Sequence, residues 1–204
     1  MNRRYAIYGG TFDPIHIGHL ILGETAWQQF GLDKVLYMPA GNPPHKRNRA
    51  GRASDEQRME MVRRAIEGNP HFELSDLEMN ADGYTYTYRT LERMRRESPD
   101  DSLFFIIGAD SLADFHLWKE PPRIAAACTL IVACRDHIRS EILEQQIENV
   151  CQKFGAVIHI LNTRNIDISS HEIRSFVEEK RSIRYYVPDS VREYIAANSI
   201  YTKS

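Results

Sequence analysis

Short apolar runs alternate along this chain with segments in which apolar residues recur every three or four positions. Residues 102–110 form the most strand-like run. Because this run does not alternate with polar residues, we expect it to be buried on both faces of a parallel sheet. The other predicted strands are residues 5–8, 34–39, 72–75, 129–135 and 156–161.

The segments between the apolar runs have helical periodicity. Ser54 and Gln57 stand in capping-box order at the start of the second helix. Residues 83–88 are rich in strand-favouring types but precede a helical pattern, so we predict a loop followed by a helix N-terminus there. The predicted helices are residues 17–30, 54–67, 90–95, 121–127, 140–154 and 170–177.

This alternation of strands and helices predicts an α/β fold with a doubly wound, mostly parallel sheet. A small helical C-terminal portion follows it. We predict a Rossmann-like core in residues 1–168 and a helical subdomain in residues 169–204.

Composition narrows the function classes. The 204 residues are 42% hydrophobic, enough for a substantial core, and the net charge of −2 gives no reason to expect a nucleic-acid or acidic-membrane partner. No run is long and apolar enough to span a membrane, so we expect a cytoplasmic protein. Cys128, Cys134 and Cys151 are odd in number and form no Cys-x-x-Cys pair, which favours free, buried thiols over disulfides or metal ligands.

Residues 9–20 carry the strongest chemical signal. Gly9 and Gly10 follow the first predicted strand and let the backbone approach a ligand closely. Residues 17–19 would open a helix and direct free N–H groups at an anion. His16 and His19 are three apart, so both imidazoles can project from one side of the helix start. A turn or a structural histidine would explain either feature alone, whereas the combination predicts a clamp for a triphosphate.

Known phosphate and metal motifs do not account for this stretch. It matches neither Gly-x-x-x-x-Gly-Lys-Ser/Thr nor Gly-x-Gly-x-x-Gly, which argues against a P-loop NTPase and the usual dinucleotide fingerprint. No cysteine or carboxylate pair stands nearby at ligand spacing, so we expect no zinc site.

Other polar residues follow predicted strands, where ligands of open α/β sheets bind. The loop at residues 42–47 offers Lys46 to phosphate, although such a basic loop could be merely solvated. Asp110 is placed to accept hydrogen bonds from sugar hydroxyls or to cap a helix. Trp118 offers a flat ring to a ligand or packs in the interior.

Two predicted helix N-termini add further candidate anion sites. Ser169 or Ser170 would cap a helix whose free N–H groups point at an anion, with Arg174 one turn later. The alternative is an ordinary capped surface helix. Thr85 and its neighbouring N–H groups could accept a carboxylate, although a tyrosine-rich packing segment explains residues 83–88 equally well.

His16-Ile17-Gly18-His19 resembles the His-x-Gly-His signature of the nucleotidyltransferase superfamily. Class I aminoacyl-tRNA synthetases share it, but they are much longer and carry a lysine-rich signature that is not found here. The sequence of residues 9–20 is similar to the corresponding motif of bacterial nicotinate mononucleotide adenylyltransferases. The resemblance extends to residues 42–46, 84–85, 108–118, 168–174 and the C-terminal helix at residues 185–195.

The resemblance implies a Rossmann-like nucleotidyltransferase fold whose C-terminal helices complete an ATP site. It implies transfer of AMP from ATP to nicotinate mononucleotide by direct in-line attack, giving deamido-NAD and pyrophosphate, with Mg²⁺ bound through phosphates and waters. The expected catalytic residues are His16, His19, Lys46 and Arg174. The expected ATP-binding residues are Gly9, Gly10, Thr11, Phe12, His16, His19, Gly108, Asp110, Ile168, Ser169, Ser170 and Arg174. The expected substrate-binding residues are Asn42, Lys46, Tyr84, Thr85, Asp110, Trp118 and Arg135.

The chain departs from the family pattern at three places. His171 stands where the family has threonine, residues 135–137 replace the usual Arg-Pro-Gly, and the residues before Tyr84 are not the usual Pro-Ser. Nicotinamide mononucleotide or both mononucleotides are alternative acceptors. Pantetheine-phosphate adenylyltransferases, glycerol-phosphate cytidylyltransferases and a non-catalytic nucleotide-binding module are further alternatives. The sequence gives no indication of the oligomeric state.

Overall fold

The computed structural model describes residues 2–41, 51–79, 85–134, 141–163 and 166–202. Within these residues strands and helices alternate along the chain. The strands are β1 (Arg4–Gly10), β2 (Lys34–Pro39), β3 (Phe72–Leu74), β4 (Ser102–Gly108), β5 (Thr129–Cys134) and β6 (Ile158–Asn162). The helices are α1 (Ile17–Phe30), α2 (Asp55–Ile66), α3 (Thr87–Glu97), α4 (Ala109–Ala113), α5 (Pro121–Ala127), α6 (Glu141–Phe154), α7 (Ser170–Glu178) and α8 (Asp189–Ala197), with a short 3₁₀ helix at Phe115–Leu117.

The six strands form one parallel sheet in the order β3-β2-β1-β4-β5-β6. The strand order reverses between β1 and β4, which are neighbours although three helices and two strands separate them in sequence. In doubly wound sheets this reversal point forms a crevice beyond the carboxyl ends of the strands. The predicted α/β fold class is confirmed.

Both faces of the sheet are covered because successive side chains of each strand point to opposite sides. On β4, Phe104 and Ile106 join one apolar cluster, while Phe105 and Ile107 join the other. The first cluster includes residues of α1, α2, α7 and α8, and the second includes residues of α3, α4, α5 and α6. This double burial explains why the β4 run does not alternate with polar residues.

The C-terminal helices bury their apolar faces in the first cluster. Ile173 and Phe176 of α7 and Val191 and Ile195 of α8 belong to the same cluster as the inner residues of β1, β2 and β4. The division of the chain at residue 169 stays a prediction. No described helix is both long enough and apolar enough to cross a membrane.

Local signals set several element boundaries as the sequence predicts. The Ser54 hydroxyl accepts a hydrogen bond from the Gln57 N–H at 3.2 Å, and the Gln57 side chain accepts one from the Ser54 N–H at 2.8 Å. The tyrosine-rich segment leads into α3, with Tyr86 as its N-cap residue. All three cysteines are free thiols, as predicted, but only Cys128 is buried, whereas Cys134 and Cys151 are partly exposed.

Candidate active site

A cavity of about 680 Å³ opens at the carboxyl edge of the sheet, where β1 and β4 are neighbours. This volume is typical of small-molecule sites. Its lining comes from the starts of α1, α4 and α7 and from the ends of β4 and β5. The lining residues are Tyr8, His16, Gly18, His19, Leu22, Ile106, Ile107, Gly108, Ala109, Asp110, Ala133, Cys134, Thr163, Ile166, Ile168, Ser169 and Ser170.

The two histidines at the start of α1 form a stacked pair. The ring centroids of His16 and His19 are 3.6 Å apart, with 29° between the ring planes. His19 Nδ1 accepts a hydrogen bond from the His16 backbone N–H at 3.2 Å. A neutral His19 that accepts at Nδ1 carries its proton on Nε2, which is then available as a donor.

Burial keeps the His19 imidazole in its neutral form. Desolvation and the adjacent His16 together lower the pKa of His19 well below its ordinary value. Its ring also packs edge-on against Phe12 at 5.0 Å and Tyr8 at 5.9 Å between centroids. His19 is therefore a fixed, uncharged hydrogen-bond donor at neutral pH.

The start of α1 offers fewer free N–H groups than the sequence predicts. The Ile17 N–H donates to the Tyr186 carbonyl at 2.9 Å, and the His19 N–H donates to the His16 carbonyl at 2.9 Å. The Gly18 N–H has no acceptor among the described residues, and Gly18 lines the cavity. The expectation for Ile17 is therefore wrong, because the segment that precedes α8 supplies a carbonyl to this helix end.

A second helix N-terminus faces the same cavity. Ser169 is the N-cap residue of α7, and its hydroxyl accepts a hydrogen bond from the Glu172 N–H at 3.2 Å. The Ser170 hydroxyl donates to the Pro14 carbonyl at 2.9 Å, which ties α7 to the loop before His16. N-termini of α1 and α7 thus both direct partial positive charge toward the cavity.

Arg174 is not among the residues that line this cavity. Its Nη1 donates to the Asp13 carbonyl at 2.7 Å and lies 3.9 Å from Asp13 Oδ2. Asp13 was not assigned a role from the sequence, although it lies within residues 9–20. It is almost completely buried, with 2% exposure.

The glycines and their neighbours after β1 have packing roles. A Cβ at Gly9 would lie 3.3 Å from the Phe105 ring, and one at Gly10 would lie 2.9 Å from the Phe12 ring. The Phe12 side chain is buried, so its backbone is what remains to face a ligand. The Thr11 carbonyl accepts a hydrogen bond from Arg58 at 2.7 Å.

The chain is similar to known proteins in both sequence and fold. Residues 7–176 match the family model described as cytidylyltransferase-like. Probable nicotinate-nucleotide adenylyltransferases of Clostridium botulinum (strain Eklund 17B / Type B) and Desulfitobacterium hafniense (strain DSM 10664 / DCB-2) are both 40% identical to it. The alignments cover 98% of this chain and 98% and 96% of theirs.

The chain belongs to the nicotinate-nucleotide adenylyltransferases, within the cytidylyltransferase-like family. It is a nucleotidyltransferase. The fold is also that of Plasmodium falciparum nicotinic acid mononucleotide adenylyltransferase, which has been solved in complexes with NaAD and with APC. The two structures have TM-scores of 0.78 and 0.77, are 22% identical to this chain, and cover 98% of both chains.

The expected residues of this adenylyltransferase separate into three groups. Seven line the cavity, namely His16, His19, Gly108, Asp110, Ile168, Ser169 and Ser170. Those outside the lining are Gly9, Gly10, Thr11, Phe12, Thr85, Trp118 and Arg174. Asn42, Lys46, Tyr84 and Arg135 lie outside the described residues.

Trp118 lies toward the other face of β4. It is half-buried, and its ring centroid is 6.1 Å from that of Phe105 and 5.6 Å from that of Phe115. Tyr86, which follows Thr85, packs in the same apolar cluster as Trp118. Trp118 therefore lies with the second apolar cluster, whereas α1 and α7 contribute to the first cluster on the opposite face of the sheet.

Several residues that line the cavity of this adenylyltransferase were not predicted from the sequence. Thr163 and Ile166 follow β6, and Cys134 ends β5. The rule that carboxyl ends of parallel strands share one edge applies to β5 and β6 as much as to β4. That signal was available and would have identified these positions.

Proposed function

We propose that the protein transfers the adenylyl group of ATP to nicotinate mononucleotide, forming deamido-NAD and pyrophosphate. The observation that carries the proposal is the stacked pair of His16 and His19 in a cavity shared by the N-termini of α1 and α7. Such a cavity attracts an anion through hydrogen-bond donors and dipoles. Membership of the adenylyltransferase family supplies the reaction.

The reaction proceeds by direct displacement at phosphorus. A phosphate oxygen of the mononucleotide attacks the α-phosphorus of ATP, a new P–O bond forms, and the bond to the β-phosphate oxygen breaks. Both of its electrons leave with pyrophosphate. No protein nucleophile is required, so catalysis depends on positioning the phosphates and stabilising the charge that develops on them.

Each group in the proposed mechanism has a physical role. His16 and His19 hold the transferring phosphates, and the neutral His19 does so as a donor without changing its protonation state. The Gly18 N–H and the start of α7 supply further donors. Arg174 and Lys46 neutralise negative charge.

The cavity also separates polar from apolar surface. Asp110 lies at its edge in the first turn of α4 and is exposed, which suits acceptance of hydrogen bonds from the ribose hydroxyls. Leu22, Ile106 and Ile168 provide apolar surface for the adenine ring. Backbone groups from Gly9 to Phe12 and Gly108 border the phosphates.

Mg²⁺ is the metal that this chemistry implies. No group of three or more His, Cys, Asp or Glu side chains suited to a metal ion occurs in the part of the chain that the structure describes. Asp110 is the one carboxylate among the described lining residues. This donor set fits an ion that is held mainly by ATP phosphates and waters. When bound, Mg²⁺ would offset the negative charge of those phosphates.

The pyridine ring of the substrate would reach the Trp118 side of β4. There Trp118 would stack on the ring, and Thr85 with Tyr84 would receive the carboxylate of nicotinate. Asn42 and Arg135 belong to the expected substrate contacts. A dinucleotide that crosses the sheet edge between β1 and β4 would connect both groups of residues.

One contact favours nicotinamide mononucleotide as a second substrate. The Glu78 carboxylate accepts hydrogen bonds from the Thr85 side chain and, at 2.9 Å, from the Thr90 hydroxyl. A carboxylate on the Thr85 hydroxyl repels a second carboxylate and can accept a hydrogen bond from an amide.

Pyrophosphate release by the purified protein with ATP and Mg²⁺ tests the proposal. Nicotinate mononucleotide and nicotinamide mononucleotide are offered separately, and each product is identified by mass. Release with nicotinate mononucleotide supports the proposed function, and equal rates indicate dual specificity. Release only with phosphopantetheine, or only with CTP and glycerol phosphate, would overturn it. ATP binding without release would indicate a non-catalytic binding module.

A further inference from the structure

Asp13 is a buried carboxylate at the meeting point of four chain segments. It lies three residues before His16, and only 2% of its surface is exposed. A carboxylate this deeply buried is costly unless hydrogen bonds and opposite charges compensate it. Its partners therefore show what the residue holds in place.

One carboxylate oxygen has hydrogen-bond partners that are distant in sequence. Oδ1 accepts from the Ala53 N–H at 3.1 Å and from the Tyr201 hydroxyl at 2.7 Å. Burial, followed by the Asp13 charge, raises the pKa of Tyr201 above its ordinary value. The phenol consequently stays protonated and remains a donor to Asp13.

The other carboxylate oxygen lies near two guanidinium groups. Asp13 Oδ2 lies 3.8 Å from Arg52 Nε and 3.9 Å from Arg174 Nη1, and it has no hydrogen-bond partner among the described residues. Both guanidinium groups are partly exposed, whereas the carboxylate is not. The buried charge thus attracts two arginines to the loop that precedes His16.

Arg174 is held by Asp13 through both the backbone and the side chain. Nη1 donates to the Asp13 carbonyl at 2.7 Å, and Nε and Nη2 have no acceptor among the described residues. A guanidinium fixed at one nitrogen keeps its other donors directed for a bidentate contact. The same loop carries His16, so Arg174 is set relative to the stacked histidines.

We propose that Asp13 is a positioning residue for adenylyl transfer, which holds Arg174 in register with His16 and His19 so that its remaining donors meet the phosphates. The inference rests on the proposed function, because turnover is its main readout. Arg174 touches the substrate in this proposal, and Asp13 acts through it. Arg52 shares the carboxylate and adds positive charge next to it.

A double-mutant cycle of Asp13→Asn and Arg174→Ala tests this coupling. Asparagine keeps a side-chain oxygen for Ala53 and Tyr201 but removes the charge that draws Arg174. We expect Asp13→Asn to lower kcat by about tenfold to a hundredfold, because small misplacements cost that much. In the Arg174→Ala background it should change kcat by less than about threefold, since interacting residues are not additive. Equal losses in both backgrounds would overturn the proposal.

Two further variants separate positioning from stability. Tyr201→Phe removes a hydrogen bond to Asp13 but leaves its charge, so Tm should fall while kcat stays within about threefold. Arg174→Lys keeps the positive charge but loses the fork, so kcat should fall nearly as far as with Arg174→Ala. A lysine variant with wild-type kcat would contradict the proposal even if Asp13→Asn does not fold.

Pyrophosphate release by the wild-type protein distinguishes failure of the proposed function from failure of the role proposed for Asp13. If wild-type protein releases no pyrophosphate, the proposed function fails. The effect of Asp13→Asn on ATP affinity, measured by calorimetry with and without Arg174, then still tests the coupling. If wild-type protein turns over and the cycle is additive, only the role of Asp13 fails.

Discussion

The His19 imidazole is kept neutral by desolvation and by the neighbouring His16, which lower its pKa well below the ordinary value. Its Nδ1 is occupied by the His16 N–H, so the Nε2 proton is its donor to a phosphate. We expect His19→Ala to reduce kcat about 10²–10³-fold, as for loss of one preorganised donor. His116→Ala, at an exposed histidine, is the control. Pyrophosphate release checks both, and a folded His19→Ala variant with normal turnover would disprove the role.

The depressed pKa of His19 also predicts a pH dependence of stability. In the unfolded chain this histidine takes up a proton near pH 6.5, whereas the folded protein resists doing so. Acidification below about pH 6.5 therefore favours unfolding, by at most about 1.4 kcal/mol per pH unit. Urea unfolding at pH 7.5 and 5.5 should show a larger loss for wild type than for His19→Gln. Equal losses would indicate that His19 titrates normally.

Gly18 leaves room for the neighbouring imidazole. A Cβ at this position would lie 3.1 Å from His16 Nδ1, and Gly18 has no left-handed backbone conformation that would add strain. We predict that Gly18→Ala shifts the His16 ring and lowers kcat by at least about tenfold, with little change in Tm. Gly31 is unsuitable as a comparison because its φ is +54°. At Gly108 an added Cβ would meet nothing within 4 Å, so Gly108→Ala is the control for Tm alone, because Gly108 also lines the cavity. An alanine variant with full activity would show that the ring adapts.

At the scale of elements, Arg58 of α2 joins the ends of two strands. Its guanidinium donates to the Thr11 carbonyl after β1 at 2.7 Å and to the Ala40 carbonyl after β2 at 2.8 Å. The residue is 4% exposed, so loss of its guanidinium leaves the two carbonyls without these donors. Arg58→Gln should reduce the free energy of unfolding by about 2–4 kcal/mol.

A matched control lies on the same helix. Arg63 is exposed and pairs with Glu60 one turn away, and such surface pairs contribute little. Arg63→Gln should change the free energy of unfolding by less than about 0.5 kcal/mol. Comparable losses in both variants, measured by denaturant unfolding, would show that Arg58 does not depend on its buried contacts.

Sequence patterns predict a helix or strand well where neighbouring residues alone determine it. The Ser54 and Gln57 capping box and the unbroken apolar run of β4 both appear in the structure as the sequence indicates. Residues 83–88 have strand-favouring composition, yet α3 begins at Thr87 because the amphipathic helix can bury Tyr88 and Leu91 against its neighbours. Packing outweighs the weak preference of single residue types there.

At the scale of the molecule, α8 stabilises the same core as the sheet. Ile195 is 2% exposed and packs in the cluster that contains Tyr8 and Val35. Ile195→Ala should lower the free energy of unfolding by about 2–5 kcal/mol and keep a single unfolding transition. Ile142→Ala, at a residue that is 69% exposed, should change it by less than about 0.5 kcal/mol. Two separate transitions would mean that the C-terminal helices unfold independently.

Contacts between distant segments explain why the sequence predicts the site only in part. Asp13 meets Tyr201, 188 positions later, and Arg174, 161 positions later. No periodicity or spacing encodes such pairs. The His16 and His19 pair was recognisable because three residues and one helix start determine its geometry. Trp118 sits among Phe105 and Phe115 because of tertiary packing that its flanking sequence does not specify.

The two edges of the parallel sheet differ in their role. The described cavity lies beyond the carboxyl ends of the strands, whereas the turns that lead into β2, β3 and β6 lie at the opposite edge. Gly31, Gly68 and Gly155 occupy those turns with positive φ, and a Cβ added at any of them would meet nothing within 4 Å. Inserted residues are best tolerated in exposed turns. A fluorophore or affinity handle placed there would report on the enzyme from the far side, leaving its chemistry untouched.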